Sequence, residues 1–119
     1  MTFIVDGHID FAYESLEKQR DYTLPVAEIR RREPDNSDHQ ATVGWPELQK
    51  GKVGIVFCTV FLEPPAHRTG PKRIGTSYDT ADECHRSVLT QLDFYHRWQE
   101  QHPEKFRLIR SKPELRETI

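Results

Sequence analysis

The sequence predicts an α/β fold with about three parallel strands joined by crossover helices, and three observations support this. First, short β-branched segments alternate with segments of helical periodicity. The order is strand, helix, irregular segment, strand, helix, strand, start of a helix, which favours a parallel sheet. Second, the stretch from Val53 to Leu62 is apolar at nearly every position, as expected for a strand covered on both faces. Third, the 119 residues stop in the first turns of a capped helix, so the chain is expected to be a piece of a longer domain. The domain expectation is therefore one N-terminal portion over residues 1–119, with strands at 2–10, 53–62 and 106–109 and a helix at 80–102.

Each element has its own signal. Thr2 to Val5 is β-branched and aromatic and runs into Asp6-Gly7-His8-Ile9-Asp10. Phe11 to Arg20 mixes apolar and charged residues in helical fashion. Asp21 to Val43 is the least regular part. Pro25, the charged run Glu28 to Glu33 and Pro34-Asp35-Asn36-Ser37-Asp38 suggest loop, or a brief helix and a turn. Arg30-Arg31-Arg32 has the composition of a phosphate contact. The acids on either side favour a solvated surface instead. Trp45 to Lys50 reads as one or two helical turns, with Pro46 early and Gly51 at the end.

After the second strand, Glu63-Pro64-Pro65 stops the pairing, and Ala66 to Tyr78 is a basic loop rich in Gly and Pro. Thr80 and Glu83 have the spacing of a capping box, and Cys84, Val88, Leu92 and Tyr95 form an apolar stripe behind it. His102-Pro103 closes that helix. Phe106 to Ile109 reads as the third strand. Ser111 and Glu114 repeat the capping signature before Leu115 to Ile119.

Bulk composition narrows the partners. The chain is 35% hydrophobic and 30% charged, a low apolar share for buried strands, so some faces are expected to be covered by other protein. A formal net charge of −2 gives no electrostatic case for nucleic acid or an anionic membrane. No apolar stretch approaches the ~20 residues of a membrane span. Phe3-Ile4-Val5 already reads as strand, leaving no room for a leader, so a cytoplasmic location is expected. Cys58 and Cys84 form no C-x-x-C pair. Both are expected to be small buried hydrophobes in a reducing compartment rather than a disulfide.

The chemistry-bearing residues are His8 and Asp10. Positions i and i+2 of a strand point to one side, so H-x-D at a strand end aims an imidazole and a carboxylate at one point. Both are good ligands for zinc or another divalent ion. In a (β/α)8 barrel the C-terminal strand ends surround the active site, and a first strand ending in H-x-D would place both groups there. Gly7 suits a tight bend or a close approach. Two ligands do not complete a zinc site, which takes about four. The same residues could also make a hairpin with a D-G turn.

Asp6-Gly7-His8-Ile9-Asp10 resembles the D-G-H-x-D opening of the membrane (renal) dipeptidase family, peptidase family M19, in the amidohydrolase superfamily. Thr42 to Phe61, with Pro46-x-Leu48-x-x-Gly51-x-Val53-Gly54, resembles that family's second strand and its lead-in. Leu89 to Phe106, with Gln91-Leu92-Asp93, His96-Arg97 and Pro103-Glu104-x-Phe106, resembles the helix and strand that follow. The stretches occur in the family's order and span nearly the whole chain, but only the leading part of a family enzyme.

The resemblance implies the N-terminal part of a TIM-type (β/α)8 metal-dependent hydrolase barrel. It makes His8 and Asp10 ligands of one zinc in a two-zinc site. It places the bridging glutamate, the remaining histidine ligands and the acid/base aspartate beyond Ile119. The implied reaction is hydrolysis of a dipeptide, often with a D-residue on its C-terminal side, in which the metals activate water and stabilise the oxyanion. Tyr13 falls where the family often has an aromatic residue lining the substrate pocket. No catalytic group is expected within the chain itself, and the fragment alone is expected to be inactive. The implied partners are a dipeptide, the remainder of the barrel or a second chain, and a homo-oligomer. Two departures bear on the substrate: Ile9 stands where the family commonly has Asn, and Phe11-Ala12-Tyr13 replaces a Leu-Pro-Trp type of continuation.

The resemblance leaves two alternatives open, a non-catalytic α/β interaction module and a fragment of another amidohydrolase-type enzyme. The other histidines read as bland. His39 and His67 are expected in exposed loops, His85 and His96 on an outer helix, and His102 at a helix C-terminus, where the dipole favours it. Asp79 and Asp82 suit a helix N-terminus. Trp45 and Trp98 are expected to pack.

Overall fold

A computed structural model describes residues 2–34 and 40–119. His39 and the turn read at 35–38 lie outside the described residues. In chain order the elements are β1 (Ile4–Ile9), α1 (Phe11–Lys18), α2 (Val26–Arg32), α3 (Trp45–Lys50), β2 (Val53–Cys58), α4 (Ala81–Gln101) and α5 (Lys112–Thr118), with a 3-10 turn at Pro65–His67. Strands β1 and β2 pair in parallel, with Ile4 opposite Val53 and Ile9 opposite Cys58. A parallel pair needs a long crossover, supplied here by α1, α2 and α3. The register shifts between Asp6 and Ile9, the segment that carries His8.

Local chemistry sets the boundaries. α1 stops because Gln19 turns left-handed, at φ 56°. This brings Arg20 back to a buried position, where its guanidinium bonds Glu33 and lies 2.9 Å from Glu14. α3 carries Pro46 in its first turn and ends at Gly51. Thr80 Oγ1 accepts from the Glu83 amide at 3.2 Å, and Ser111 Oγ accepts from the Glu114 amide at 3.4 Å. Both glutamates reach back one residue further than a simple capping box requires, to the amides of Asp79 and Arg110.

The core draws Phe11 and Ala12 from α1, Ile29 from α2, Leu48 from α3, and Tyr95 and Trp98 from α4, with Tyr22 and Ala41 between elements. Aromatic edges organise it. Phe11 lies 4.9 Å from Tyr22 and 5.1 Å from Trp98, and Phe106 stacks on Trp98 at 3.6 Å. Trp45 meets Phe106 edge-on at 5.2 Å, so both tryptophans pack.

Several expectations are corrected. The architecture is mixed α/β, but among the described residues the sheet has two strands, not about three, and two strands do not establish a barrel. Residues 106–109 form no strand. Phe106 is held between Trp98 and Trp45, and the Leu108 amide donates to Gln99 Oε1 at 2.6 Å, so this segment is bound to the helix side and not to β2. A cleft of about 810 Å³ separates it from β2, lined by Ile55, Phe57, Cys58, Leu92, Phe106 and Ile109 among others. Strand β1 is shorter than residues 2–10 and β2 shorter than 53–62.

With only β1 beside it, β2 leaves Phe57 64% exposed, and Cys58 is exposed rather than buried. Both cysteines are free. The buried stripe of α4 is Ser87, Gln91, Tyr95 and Trp98, while Leu92 is exposed at the cleft beside β2. Ser87 and Gln91 are polar yet fully buried because they bond loop backbone. Gln91 accepts from the Phe61 amide at 3.1 Å and donates to the carbonyls of Phe61 and Gly75. Ser87 bridges the Gly75 amide and the Ser77 carbonyl. No helix among the described residues is long and apolar enough to cross a membrane.

Candidate metal centre at the end of the first strand

His8 is the penultimate residue of β1, and Asp10 is the N-cap of α1. Their side chains converge, with His8 Nε2 3.2 Å from Asp10 Oδ1 and 3.3 Å from Oδ2. The imidazole is 68% exposed and the carboxylate 32%, so both are open to a ligand. Asp6 accepts from the His8 amide at 2.9 Å and fixes the turn of backbone before the imidazole. Gly7 is not explained by crowding, since a Cβ there would meet nothing within 4 Å.

A cavity of about 580 Å³ opens over the pair, lined also by Asp6, Glu14, Arg20, Tyr22 and Thr42. Its floor is rigid. Arg20 is locked between Glu14 and Glu33 and contacts the Tyr22 hydroxyl at 3.4 Å. Burial pushes the Tyr22 phenol up, with Arg20 opposing, so it stays neutral at ordinary pH.

Asp10 is held from the other strand. Thr59, the residue after β2, donates its hydroxyl to Asp10 Oδ1. The Thr59 amide and hydroxyl also reach the Ile9 carbonyl, at 3.2 and 3.3 Å. Tyr95 of α4 donates to the Thr59 carbonyl at 2.7 Å and accepts from the Ala12 amide at 3.2 Å. Strand β1, the end of β2, α1 and α4 therefore meet around one carboxylate. Sequence reasoning missed Thr59 and Tyr95. Thr59 was absorbed into an apolar strand and Tyr95 into a helix stripe. The available signal is a single hydroxyl inside an otherwise apolar run.

Tyr13 lines a second cavity of about 460 Å³ with Glu17, Lys18, Glu63, Thr69 and Ser77, and Glu14 lines both cavities. Its ring meets Phe61 edge-on at 4.9 Å. Burial, then the charge of Glu63, pushes its phenol up to about 12.

The other sequence candidates lie apart from this end. His67, His85 and His96 are exposed, and His96 lines the cleft beside β2. His102 caps that helix and meets Phe106 at 6.3 Å. Asp79 pairs with Arg68 and Lys72, which hold its carboxyl below the usual range. Arg31 and Arg32 pair with Glu28, and Arg30 donates to the Ala41 carbonyl at 2.6 Å.

The donor chemistry fits half of a zinc site. Tetrahedral zinc with bonds of about 2.0–2.1 Å keeps neighbouring ligand atoms about 3.3 Å apart. The 3.2–3.3 Å between His8 and Asp10 matches that edge and also serves a direct hydrogen bond. Among the described residues no group of three or more His, Cys, Asp or Glu side chains completes the set.

No curated protein and no solved structure matches the chain. A family model does, that of the membrane dipeptidases (peptidase family M19), over residues 1–119. With its match running through the H-x-D strand end and everything that follows, the chain belongs to the membrane dipeptidase family.

Proposed function

We propose that this chain supplies the His8–Asp10 half of a binuclear zinc centre in a dipeptidase, the other ligands coming from protein outside the described residues. The convergence of the two side chains at the C-terminal end of β1, inside a family match that spans the chain, supports this reading. Zinc held there, or another divalent ion, would supply Lewis-acid polarisation of the scissile carbonyl and a lowered water pKa.

The chain's own residues do the rest of what can be derived. His8 offers Nε2 from an exposed ring, and Asp10 offers a carboxylate fixed by its place between strand and helix. Tyr13 lines the neighbouring cavity, joined to the one over His8 and Asp10 only through Glu14, so it meets a dipeptide that extends past Glu14. Its phenol keeps its proton through neutral pH and offers an aromatic wall and a hydrogen-bond donor there, not an anion. The cavity over His8 and Asp10 is lined by Asp6, Glu14 and Arg20, and Arg20 is already paired with Glu14 and Glu33. That composition suits a polar ligand that brings a cationic group, such as a peptide amino terminus, better than an apolar one.

The test is hydrolysis of dipeptides with an L- or D-residue at the C-terminal side, by the full-length protein. Activity that is abolished by chelation, restored by zinc and lost in His8→Ala supports the proposal. Activity indifferent to both treatments, in a folded protein, contradicts it.

A further inference from the structure

We propose that Thr59 is a positioning residue for Asp10, and that Tyr95 holds Thr59 in that role. This rests on the metal-site reading and adds to it the groups that aim the carboxylate. A carboxylate that ligates a metal works best when one oxygen is tied down and its plane is fixed, and such outer partners tune affinity. Thr59 does this from the neighbouring strand. Its hydroxyl donates to Oδ1, so the carboxylate is anchored on one side by β2 while His8 approaches from β1.

The anchor is itself anchored. The Tyr95 hydroxyl is buried and satisfied twice, donating to the Thr59 carbonyl and accepting from the Ala12 amide. Those two bonds tie the end of β2 to the first turn of α1, the two backbones whose spacing sets where Asp10 points. The hydroxyl geometry also explains a polar β-branched residue at the end of an apolar strand. Valine would fill the same volume and keep the amide bond to Ile9, but would leave Oδ1 without its donor.

A purely structural role gives a different result. Thr59 also extends the ladder through its amide to the Ile9 carbonyl, which lies 3.3 Å from the hydroxyl whose single proton goes to Asp10. If that were its whole purpose, removing the hydroxyl would lower the stability of the metal-free protein and leave metal affinity alone.

The experiment is zinc affinity by competition with a chromophoric chelator. The proteins are full-length wild type, Thr59→Val, Thr59→Ser, Tyr95→Phe and His8→Ala, each with a denaturant unfolding curve of the metal-free form. Thr59→Val is expected to lose about 10–100-fold in zinc affinity and Thr59→Ser to stay within about threefold of wild type. Tyr95→Phe is expected to weaken zinc in the same direction by a smaller factor.

Equal affinity in Thr59→Val and wild type, with His8→Ala still impaired, overturns the role of Thr59 while leaving the metal site standing. Equal affinity in His8→Ala and wild type overturns the metal site itself. If Thr59→Val does not fold, Thr59→Ala and Tyr95→Phe decide by the same criterion, and unchanged zinc affinity in both overturns the proposal.

Discussion

At the scale of single residues, the least expected feature is Arg20. Its side chain is 5% exposed and that of Glu33, its bonded partner, is 7% exposed. A buried pair gains little over apolar packing, but breaking it strands a charge. Arg20→Met is therefore expected to cost about 3–5 kcal/mol in denaturant unfolding, because the buried Glu33 loses its cationic partner and keeps only the long contact from the Ala41 amide. A loss below about 1 kcal/mol would mean that water solvates Glu33 readily.

The residue scale also shows what the sequence could reveal. H-x-D at a strand end is legible because the two-residue repeat of a strand is a local rule, and His8 and Asp10 do come together. Arg20 and Thr59 were not legible, since their partners lie 13 and 49 residues away and no local period brings them into view. Tyr13, expected from the resemblance to line the substrate pocket, lines a cavity separate from the one over His8 and Asp10, together with Glu17, Glu63 and the loop after β2.

At the scale of elements, caps and periodicity carried the helices well. Thr80 and Ser111 are N-caps as their spacing required. Thr80→Ala is expected to cost about 1 kcal/mol, measurable as a shift in unfolding midpoint with unchanged slope. The third strand failed for a physical reason. Phe106-Arg107-Leu108-Ile109 has strand composition, but composition does not name a partner, and Trp98 and Gln99 capture the segment first. Gln99→Ala is expected to remove protection of the Leu108 amide in hydrogen exchange while leaving the α4 amides protected. Unchanged protection at Leu108 would indicate a different acceptor. Helix α4 shows the converse limit: a stripe drawn from apolar letters missed Ser87 and Gln91, which are buried through their hydrogen bonds.

At the scale of the whole molecule, the chain leaves large apolar groups uncovered. Ile4, Val5 and Phe57 are each more than half exposed, and Val5 and Phe57 line the cleft beside β2. Isolated apolar patches with a free strand edge promote association. The 119-residue chain is accordingly expected to self-associate with rising concentration in sedimentation velocity, and a monodisperse monomer at high concentration would contradict this.

Stability should also depend on alkaline pH. The phenols of Tyr13, Tyr22 and Tyr95 are all raised by burial, that of Tyr13 to about 12. A raised folded-state pKa means the unfolded chain loses its phenolic protons first. The contribution is therefore complete below about pH 10 and is lost as pH climbs through the folded values. Unfolding free energy is expected to fall from about pH 10 upward while phenolate absorbance rises.

The central claim is that His8 and Asp10 are metal ligands, and metal content tests it most directly. The full-length protein, its His8→Ala variant and its Asp10→Ala variant would be loaded with zinc, desalted and measured by elemental analysis, with circular dichroism to establish that each is folded. Wild type is expected to retain about two zinc ions per chain, and each variant to lose at least one. Folded variants that retain as much zinc as wild type would contradict the claim.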